Sequence, residues 1–473
     1  MAQITRHPVA PAPAAPPREA TGRVLLRGYG IFVLFSGFAH LAWWNLLGPV
    51  GTAALAALVG AATIAIWVPL IVRAARPRAD RAMRVAALEW RRLPWATLGY
   101  VALAGLSILW SRWPATSAVT FGLLLVTTIQ ALFLAHVFTW REIVRLLEVA
   151  LRWALGLSLL FELWAALVLR GPLLPNFADA PADPNPQWYW TRGALFDLDV
   201  RIQGIVGNAN ILGIQCVLAL IVFGVRFAMR PNRRGAIGAW IALALVLFWR
   251  AGSATALIAG LVVLAVLAAA LLMRRAATPG QRTRLYALFT GLAVAGLAAV
   301  ALLWNTILDA LGRESGLTGR DRIWAGVWER AIERPVFGSG YASPWMPWDP
   351  MFDRWLVDKT ITVVQAHDMW LDAFLQLGVA GVAVLAVVFG AATWRSWFFA
   401  VDRPRWDIVA DRPYAPLTLI APLILALLLT QGLTESGPIM LWGWLLVTMI
   451  AFRIKLAPIV GHGASEQMNR RDP

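Results

Sequence analysis

The chain has 473 residues, of which 59% are hydrophobic and 14% are charged. This composition excludes an ordinary soluble domain, because runs of about 20 apolar residues imply transmembrane helices. The formal net charge of +16 could indicate nucleic-acid binding. Most of that charge is arginine in short loops between apolar runs, as in the cytoplasmic loops of membrane proteins, so we expect no nucleic-acid partner.

Twelve apolar segments predict an all-α polytopic membrane protein, with a transmembrane domain over 29–455. Residues 1–28, rich in alanine and proline, predict a disordered N-terminal tail, and 456–473 form a C-terminal tail. The second loop between spans is the richest in arginine, so the positive-inside tendency places both tails in the cytoplasm. The predicted spans are 29–47, 52–72, 93–110, 117–138, 147–169, 204–228, 236–249, 254–273, 285–306, 368–392, 416–431 and 439–455.

Two outward loops, about 170–203 and about 307–367, are longer than ordinary connectors, and such loops are usually functional or disordered. The second loop has apolar residues at helical spacing opposite charged ones, which predicts an amphipathic helix over 321–334 that ends before Pro335. This helix lies on the outer membrane surface, caps a cavity or packs against other spans. Each arrangement places Arg320 at its N-terminal end. The apolar residues are Ile323, Trp324, Val327, Trp328, Ala331 and Ile332.

His367 ends the second outward loop, where an apolar helix is predicted to begin at Asp368. An ionisable group at the boundary between water and bilayer is a functional candidate, and histidine can accept a proton near neutral pH. The positive end of the helix dipole favours the neutral imidazole, and Asp368 or Asp372 could orient the ring. The alternative is a histidine that only caps the helix.

Several arginines fall on the outward side, where the positive-inside tendency disfavours them. A guanidinium group binds phosphate oxygens in a bidentate fork and stays charged, so a pair of them suits a lipid-linked diphosphate. Each one alone is more often a solvated loop residue. Arg201 and Arg320 are favoured because each opens a structured segment. The outward set is Arg192, Arg201, Arg250, Arg313, Arg320 and Arg322.

Arg201 heads the sequence R-I-Q-G-I-V-G-N-A-N-I-L-G, which enters the sixth predicted span. Helix packing can explain its glycines, which permit close backbone approach. Packing does not explain the arginine together with the amides Asn208 and Asn210, because unsatisfied polar groups are costly near a membrane helix.

Metal and cofactor chemistry has weak support in the sequence. Asp197 and Asp199 could hold magnesium or manganese against a diphosphate, but the pattern is short and common. Cys216 is the single cysteine and lies inside a predicted span, which argues against a zinc site. The sequence contains no nucleotide-binding glycine loop or serine-hydrolase motif. We therefore expect neither a metal nor a cofactor.

Three segments together resemble the O-antigen ligase and polymerase superfamily of polytopic glycan-joining membrane proteins. They are the arginine segment at 201–213, G-R-D-R-I-W-A-G-V-W-E-R-A-I-E-R-P-V-F-G-S-G-Y at 319–341, and A-H-D-M-W-L-D-A-F-L-Q-L-G-V-A-G at 366–381. The three segments in this order are specific for the superfamily, but they distinguish a ligase from a polymerase much less well. The resemblance implies a GT-C-like fold in the bacterial inner membrane, with an active site that faces the periplasm.

The resemblance also implies roles for matching residues. His367 corresponds to a catalytic base, Arg201 to an essential arginine ahead of the glycine–asparagine segment, and Arg320 to the arginine that opens the amphipathic helix. Asn208 and Asp368 are further candidates for contact with the diphosphate or the acceptor.

This chain departs from the family pattern at three places. Asp368 stands where asparagine is usual, and Gln376 stands where a glutamate is common. The family has a Ser-Arg pair at the start of the eighth span, whereas here Arg250 precedes Ser253. Whether Arg250 takes the place of that arginine and binds substrate stays open.

The implied reaction transfers O-antigen from undecaprenyl diphosphate to lipid A–core oligosaccharide, with inversion at the anomeric carbon. The expected partners are therefore these two lipid-linked glycans and membrane lipids. One alternative is an O-antigen polymerase, whose acceptor is a second lipid-linked glycan. Another, from a different class, is a transporter or flippase for an anionic lipid-linked substrate.

Overall fold

The computed structural model describes residues 21–74, 88–176, 184–185, 188–303, 306, 319–358, 361–401 and 414–456. The tail residues 1–20 and 457–473, the arginine-rich stretch 75–87 and Arg313 lie outside the described residues. Residues 21–28, which the sequence analysis assigned to the N-terminal tail, are helical instead. Arg23 in this segment donates to Glu142 at 2.6 Å, so an ion pair with another helix holds the segment in place.

The first part of the chain forms the helices α1 (Thr21–Phe38), α2 (His40–Ala74), α3 (Trp95–Leu106), α4 (Pro114–Val137) and α5 (Trp140–Trp164). Pro114 occupies the first turn of α4, where its missing N–H costs nothing. In α5, Thr139 and Glu142 form a reciprocal capping box. Helix α2 breaks at Gly48, whose φ of 68° suits a residue without Cβ, between the predicted spans 29–47 and 52–72.

The middle of the chain forms α6 (Ala209–Met229), α7 (Arg234–Ala251), α8 (Ala254–Arg275) and α9 (Pro279–Leu302). Gly252, with a φ of 53°, ends α7, and the side chain of Ser253 accepts the N–H of Ala256 to begin α8. Thr278 and Gln281 form a capping box at the start of α9.

The last part forms α10 (Arg320–Ala331), β1 (Val357–Asp358), β2 (Ile361–Thr362), α11 (Met369–Val401), α12 (Ile420–Gly432) and α13 (Leu441–Leu456). The two strands are antiparallel, with Val357 opposite Thr362. Helix α10 is the predicted amphipathic helix. It buries Ile323, Val327 and Ala331 and packs against α11, as the packing arrangement predicts, whereas Trp328 and Ile332 of the same face are exposed.

Within the described residues, the helices long and apolar enough to cross a membrane are α2, α4, α6, α7, α8, α9 and α11. The chain is therefore an all-α multi-pass membrane protein. The other predicted spans coincide with helices that are shorter or more polar, so the count of twelve stays a proposal.

The helices pack as a bundle in which α6 lies against α7, α4 against α13, and α8 against α12. A second apolar cluster, which includes Trp113, Val327, Trp345, Phe352 and Leu375, packs the segments 319–358 and 361–368 on α11. Segments 188–208, 319–358, 361–368 and 433–440 meet at one end of the bundle through the contacts described below. We call this end the loop end.

Helix α11 is interrupted at Gly378, where φ is 63° and ψ is −162°. The 335–340 segment supplies hydrogen bonds that the helix lacks there. Ser339 N donates to Leu375 O at 3.0 Å, and Val379 N donates to Pro335 O at 2.8 Å. Irregular backbone is tolerated inside a membrane protein when other protein groups satisfy it, as happens here. The interruption thus fastens the second outward loop to the helix that follows His367.

Gly378→Ala should destabilise the fold by about 2–4 kcal/mol, because a Cβ strains the positive φ and meets the backbone of Val336 and Phe337. Gly390→Ala is the matched control in the same helix, since a Cβ there has no heavy atom within 4 Å. Thermal unfolding in detergent micelles measures both. Equal melting temperatures for the two variants would contradict this account of the interruption.

Candidate functional site

Glu435 lies at the loop end, between α12 and α13, and 8% of the residue is exposed. Its Oε1 accepts from Arg320 Nη2 at 2.7 Å and from Asn210 Nδ2 at 3.4 Å. Its Oε2 accepts from His367 Nδ1 at 2.8 Å and from Gln365 Nε2 at 3.0 Å. A carboxylate offers about four acceptor positions, and all are used here. The three motif segments thus meet at a residue that the sequence analysis did not single out.

His367 is held in an unusual backbone conformation beside this carboxylate. Its φ is 53°, in the left-handed region that residues with a Cβ seldom adopt. Trp324 of α10 donates its Nε1 to the carbonyl of Ala366 at 3.0 Å and so fixes the preceding peptide. The imidazole side chain is 28% exposed. A neutral ring that donates Nδ1–H to Glu435 carries its lone pair on Nε2, so in this tautomer the ring is oriented as a base.

Arg320 begins α10 and is 7% exposed. Gly319 precedes it with a φ of 80°, which turns the chain into the helix. The contact between Arg320 and Glu435 pairs two buried charges, each of which would be costly alone. In the structure Arg320 therefore holds Glu435, and through it His367. Direct contact between Arg320 and a diphosphate stays a prediction.

Arg201 is exposed at the loop end. Its Nε donates to the carbonyl of Ala251 at 2.7 Å, and its Nη2 donates to Asn210 Oδ1 at 2.8 Å. The same Oδ1 accepts from Ser253 Oγ at 3.0 Å. Since the amide nitrogen of Asn210 donates to Glu435, this one amide joins the Arg201 guanidinium to the Glu435 cluster.

The turn that carries Arg201 depends on Gly204 and Gly207, each with a φ of 61°. Their positive φ explains why glycine recurs in the motif. Asn208 follows and caps α6, because its Oδ1 accepts the N–H groups of Asn210 at 2.9 Å and Ile211 at 3.1 Å. The predicted contact between Asn208 and substrate therefore competes with this capping role.

Arg250 is buried, and its guanidinium points into the loop that precedes Arg201. Its Nη2 donates to the carbonyls of Asp197 at 2.6 Å and Leu195 at 2.9 Å, among others, and its Nη1 donates to Leu198 O at 3.2 Å. These contacts favour support of the 194–200 loop over the predicted contact with diphosphate. Within the part of the chain that the structure describes, no group of three His, Cys, Asp or Glu side chains could hold a metal ion.

Asp368 or Asp372 was expected to contact the His367 ring. In the structure both carboxylates accept hydrogen bonds from other groups. Asp368 Oδ1 accepts the N–H groups of Trp370 and Leu371, each at 2.8 Å, and so caps α11. Asp372 Oδ1 accepts from Trp345 Nε1 at 2.9 Å. The expected orienting aspartate is thus replaced by Glu435, because the first turn of α11 needs the nearer carboxylate for its own N–H groups.

The two carboxyl groups near His367 have opposite pKa shifts. Burial raises the pKa of Glu435, but the hydrogen bond and charge of His367, with the charge of Arg320, hold it below the ordinary value. Burial raises the pKa of Asp368 above its ordinary value, despite the N–H groups that it caps. Glu435 is therefore the carboxylate suited to remain ionised beside the imidazole.

A sequence signal for Glu435 does exist. It is the single charged residue in L-T-E-S-G-P-I-M at 433–440, between two apolar helices. An acidic residue in such a short connection between membrane spans is a functional candidate by the argument that selected His367.

No family model matches the chain. The chain is similar to the exopolysaccharide production protein ExoQ of Rhizobium meliloti (strain 1021), with 30% identity over 104 residues. The aligned part makes up 20% of this chain and 24% of ExoQ, so the chain covers about a quarter of this relative. The similarity supports the resemblance to polytopic glycan-joining membrane proteins only at the level of the superfamily.

Glu435→Gln should lower the melting temperature most near neutral pH. The pKa of Glu435 is lower in the folded protein than in the unfolded chain. Its ionised form therefore stabilises the fold above the ordinary glutamate value of about 4.3, and this stabilisation is lost as the pH falls through the folded pKa. Thermal unfolding in detergent micelles from pH 7 down to about pH 2 should show a constant difference above the ordinary glutamate value and convergence of the two proteins below it.

Asp368→Asn is the control for this measurement. Asparagine keeps the helix cap, and the raised pKa of Asp368 means that its charge does not stabilise the fold at pH 7. We expect no loss of melting temperature in this variant. A difference between wild type and Glu435→Gln that stays constant over the whole pH range would argue against an ionised Glu435.

Proposed function

We propose that the protein is an inverting glycosyltransferase whose base is His367. The observation that carries the proposal is the 2.8 Å contact between His367 Nδ1 and the buried carboxylate of Glu435. Arg320 contacts the same carboxylate, and Arg201 joins it through Asn210. A histidine that only caps a helix needs no such carboxylate, whereas an oriented general base does. The similarity to ExoQ supports a glycan as substrate.

In the proposed reaction, His367 Nε2 takes the proton from a hydroxyl group of the acceptor glycan. The hydroxyl oxygen forms a bond to the anomeric carbon of the donor sugar, and the bond from that carbon to the diphosphate oxygen breaks. Attack opposite the leaving group inverts the carbon. Glu435 stabilises the imidazolium that forms, as a carboxylate does beside a catalytic histidine. Arg320 favours the ionised state of Glu435.

The leaving group is a polyprenyl diphosphate, and Arg201 is the residue that we assign to it. A guanidinium group stabilises the negative charge that grows on the diphosphate as the bond breaks. The contacts with Ala251 and Asn210 fix the plane of this group in advance. Guanidinium groups supply the positive charge, so the proposal requires no metal or nucleotide, and we expect full activity in EDTA.

We assign O-antigen on undecaprenyl diphosphate as the donor and lipid A–core oligosaccharide as the acceptor, at the periplasmic face of a bacterial inner membrane. The three motifs support this assignment. The printed name of ExoQ refers to exopolysaccharide production and favours a second candidate, a polymerase whose acceptor is another lipid-linked glycan.

Reconstitution separates these candidates. The purified protein in proteoliposomes receives labelled donor, with and without lipid A–core oligosaccharide. Label on lipid A–core supports the ligase, and longer glycan on the polyprenyl carrier without lipid A–core supports the polymerase. Movement of donor across the bilayer with no new glycosidic bond would reject both and support a transporter.

His367→Ala should reduce transfer by about 10²–10⁴-fold, because the acceptor hydroxyl loses its general base. Donor binding should persist, since Arg201 is unchanged. The rate of product formation and the affinity for donor are measured separately. Asp368→Asn, at the next position, keeps the cap of α11 and should retain transfer. Normal transfer by His367→Ala would remove the base assignment.

Arg201→Ala should raise the KM for the donor by about 10–100-fold, because a charged hydrogen-bonding group is lost from the diphosphate. Arg201→Lys should recover a small part of this loss, since an ammonium group cannot form the bidentate fork. Initial rates over a range of donor concentrations test both variants. Equal recovery by lysine would mean that a point charge is enough.

A further inference from the structure

Glu162 on α5 is a buried carboxylate that the proposed reaction does not use. It is 1% exposed and lies under the turn that begins with Arg201. Its Oε1 accepts the N–H of Gln203 at 2.9 Å and the N–H of Gly204 at 2.7 Å. Its Oε2 accepts from Thr191 Oγ1 at 2.8 Å. A single side chain thus holds two parts of the first outward loop against the bundle.

Ser158, one helical turn earlier on the same face of α5, completes this contact. Its Oγ accepts the N–H of Ile205 at 3.2 Å, so α5 satisfies three consecutive backbone N–H groups of the turn. The positive φ of Gly204 helps to aim successive N–H groups at one anion, the geometry of a backbone nest. A Cβ at Gly204 would lie 2.7 Å from Ser158 Oγ, so the fit requires glycine.

These contacts fix the backbone that follows Arg201. The residue after Arg201 is also tied down, because Ile202 N donates to the carbonyl of Arg250 at 3.2 Å. With the backbone held at the four residues that follow it, Arg201 places its guanidinium against Ala251 O and Asn210 Oδ1. Such preorganisation raises affinity by removing the entropy cost of fixing a long side chain.

We propose that Glu162 is a positioning residue for Arg201, which it holds in the conformation that binds the diphosphate of the donor. The inference rests on the proposed function, since it assigns the diphosphate to Arg201. Glu162 itself does not touch the substrate. It acts through the backbone of Gln203 and Gly204, and its effect therefore depends on the presence of Arg201.

Glu148 provides a matched control for a purely structural role. It is also a buried carboxylate of α5, and it pairs with Arg226 and Arg152, each at 2.5 Å. It lies 14 positions before Glu162, about 21 Å along the helix at 1.5 Å per residue. Loss of Glu148 should reduce the stability of the fold and leave the affinity for diphosphate unchanged.

The test is a double-mutant cycle on binding of farnesyl diphosphate to the full chain in nanodiscs, read by tryptophan fluorescence. Glu162→Ala should weaken binding by about 10-fold, as expected for a lost hydrogen-bonded charge. The double variant with Arg201→Ala should bind no more weakly than Arg201→Ala alone. Glu162→Gln should recover most of the affinity, because the amide oxygen still accepts both N–H groups and the amide nitrogen can donate to Thr191.

Additive losses from Glu162→Ala and Arg201→Ala would overturn the inference, as would unchanged binding by Glu162→Ala or an equal loss in Glu148→Ala. If Glu162→Ala does not fold, Thr191→Val removes one of the three hydrogen bonds and should weaken binding by about 3-fold, only when Arg201 is present.

The same preparations separate this inference from the proposed function. A wild type that binds farnesyl diphosphate but transfers no glycan would reject the glycosyltransferase, while the cycle would still decide the role of Glu162. A wild type that does not bind the diphosphate would overturn both proposals.

Discussion

The candidate site depends on one buried charge, the carboxylate of Glu435. A carboxylate away from water is costly unless donors surround it, and here the donors come from the start of α6, the start of α10 and the segment before α11. These segments are distant in sequence, so each must be in place before the charge is satisfied. The need to surround this carboxylate with donors therefore also fixes the position of the His367 imidazole, which is one of them.

The backbone obeys a similar constraint at the loop end. Two irregular stretches, the interruption of α11 and the turn after Arg201, leave N–H and C=O groups that a helix would satisfy. The 335–340 segment supplies partners to the first, and Glu162 with Ser158 supplies partners to the second. Non-helical backbone inside a membrane bundle is stable only with such internal partners. Glycine occurs at both places because a Cβ would meet the backbone of the 335–340 segment at Gly378 and the side chain of Ser158 at Gly204.

The sequence predicted the helices well, because apolar runs separated by charge and by glycine are direct consequences of membrane burial. It also predicted that the segments of Arg201, Arg320 and His367 belong together. It did not predict Glu435, which lies 68 residues from His367 and has no local pattern that joins them. Asp368 or Asp372 was expected to orient the ring, and both lie close to His367 in the sequence. Nearness in sequence was a poor guide to this contact, because the N–H groups at the start of α11 occupy the carboxylate of Asp368.

Three arginines were selected by the same sequence argument, their predicted place on the outward side, but the structure gives each of them different surroundings. Arg250 is occupied by the carbonyls of its own loop, and Arg320 is paired with Glu435. Arg201 is exposed, and its held guanidinium is the one suited to a charged ligand from outside. The proposed chemistry then divides into a diphosphate half at Arg201 and a base half at His367, joined by the single amide of Asn210. Because this amide donates to Glu435 and accepts from Arg201, the two halves of the proposed site belong to one hydrogen-bond network.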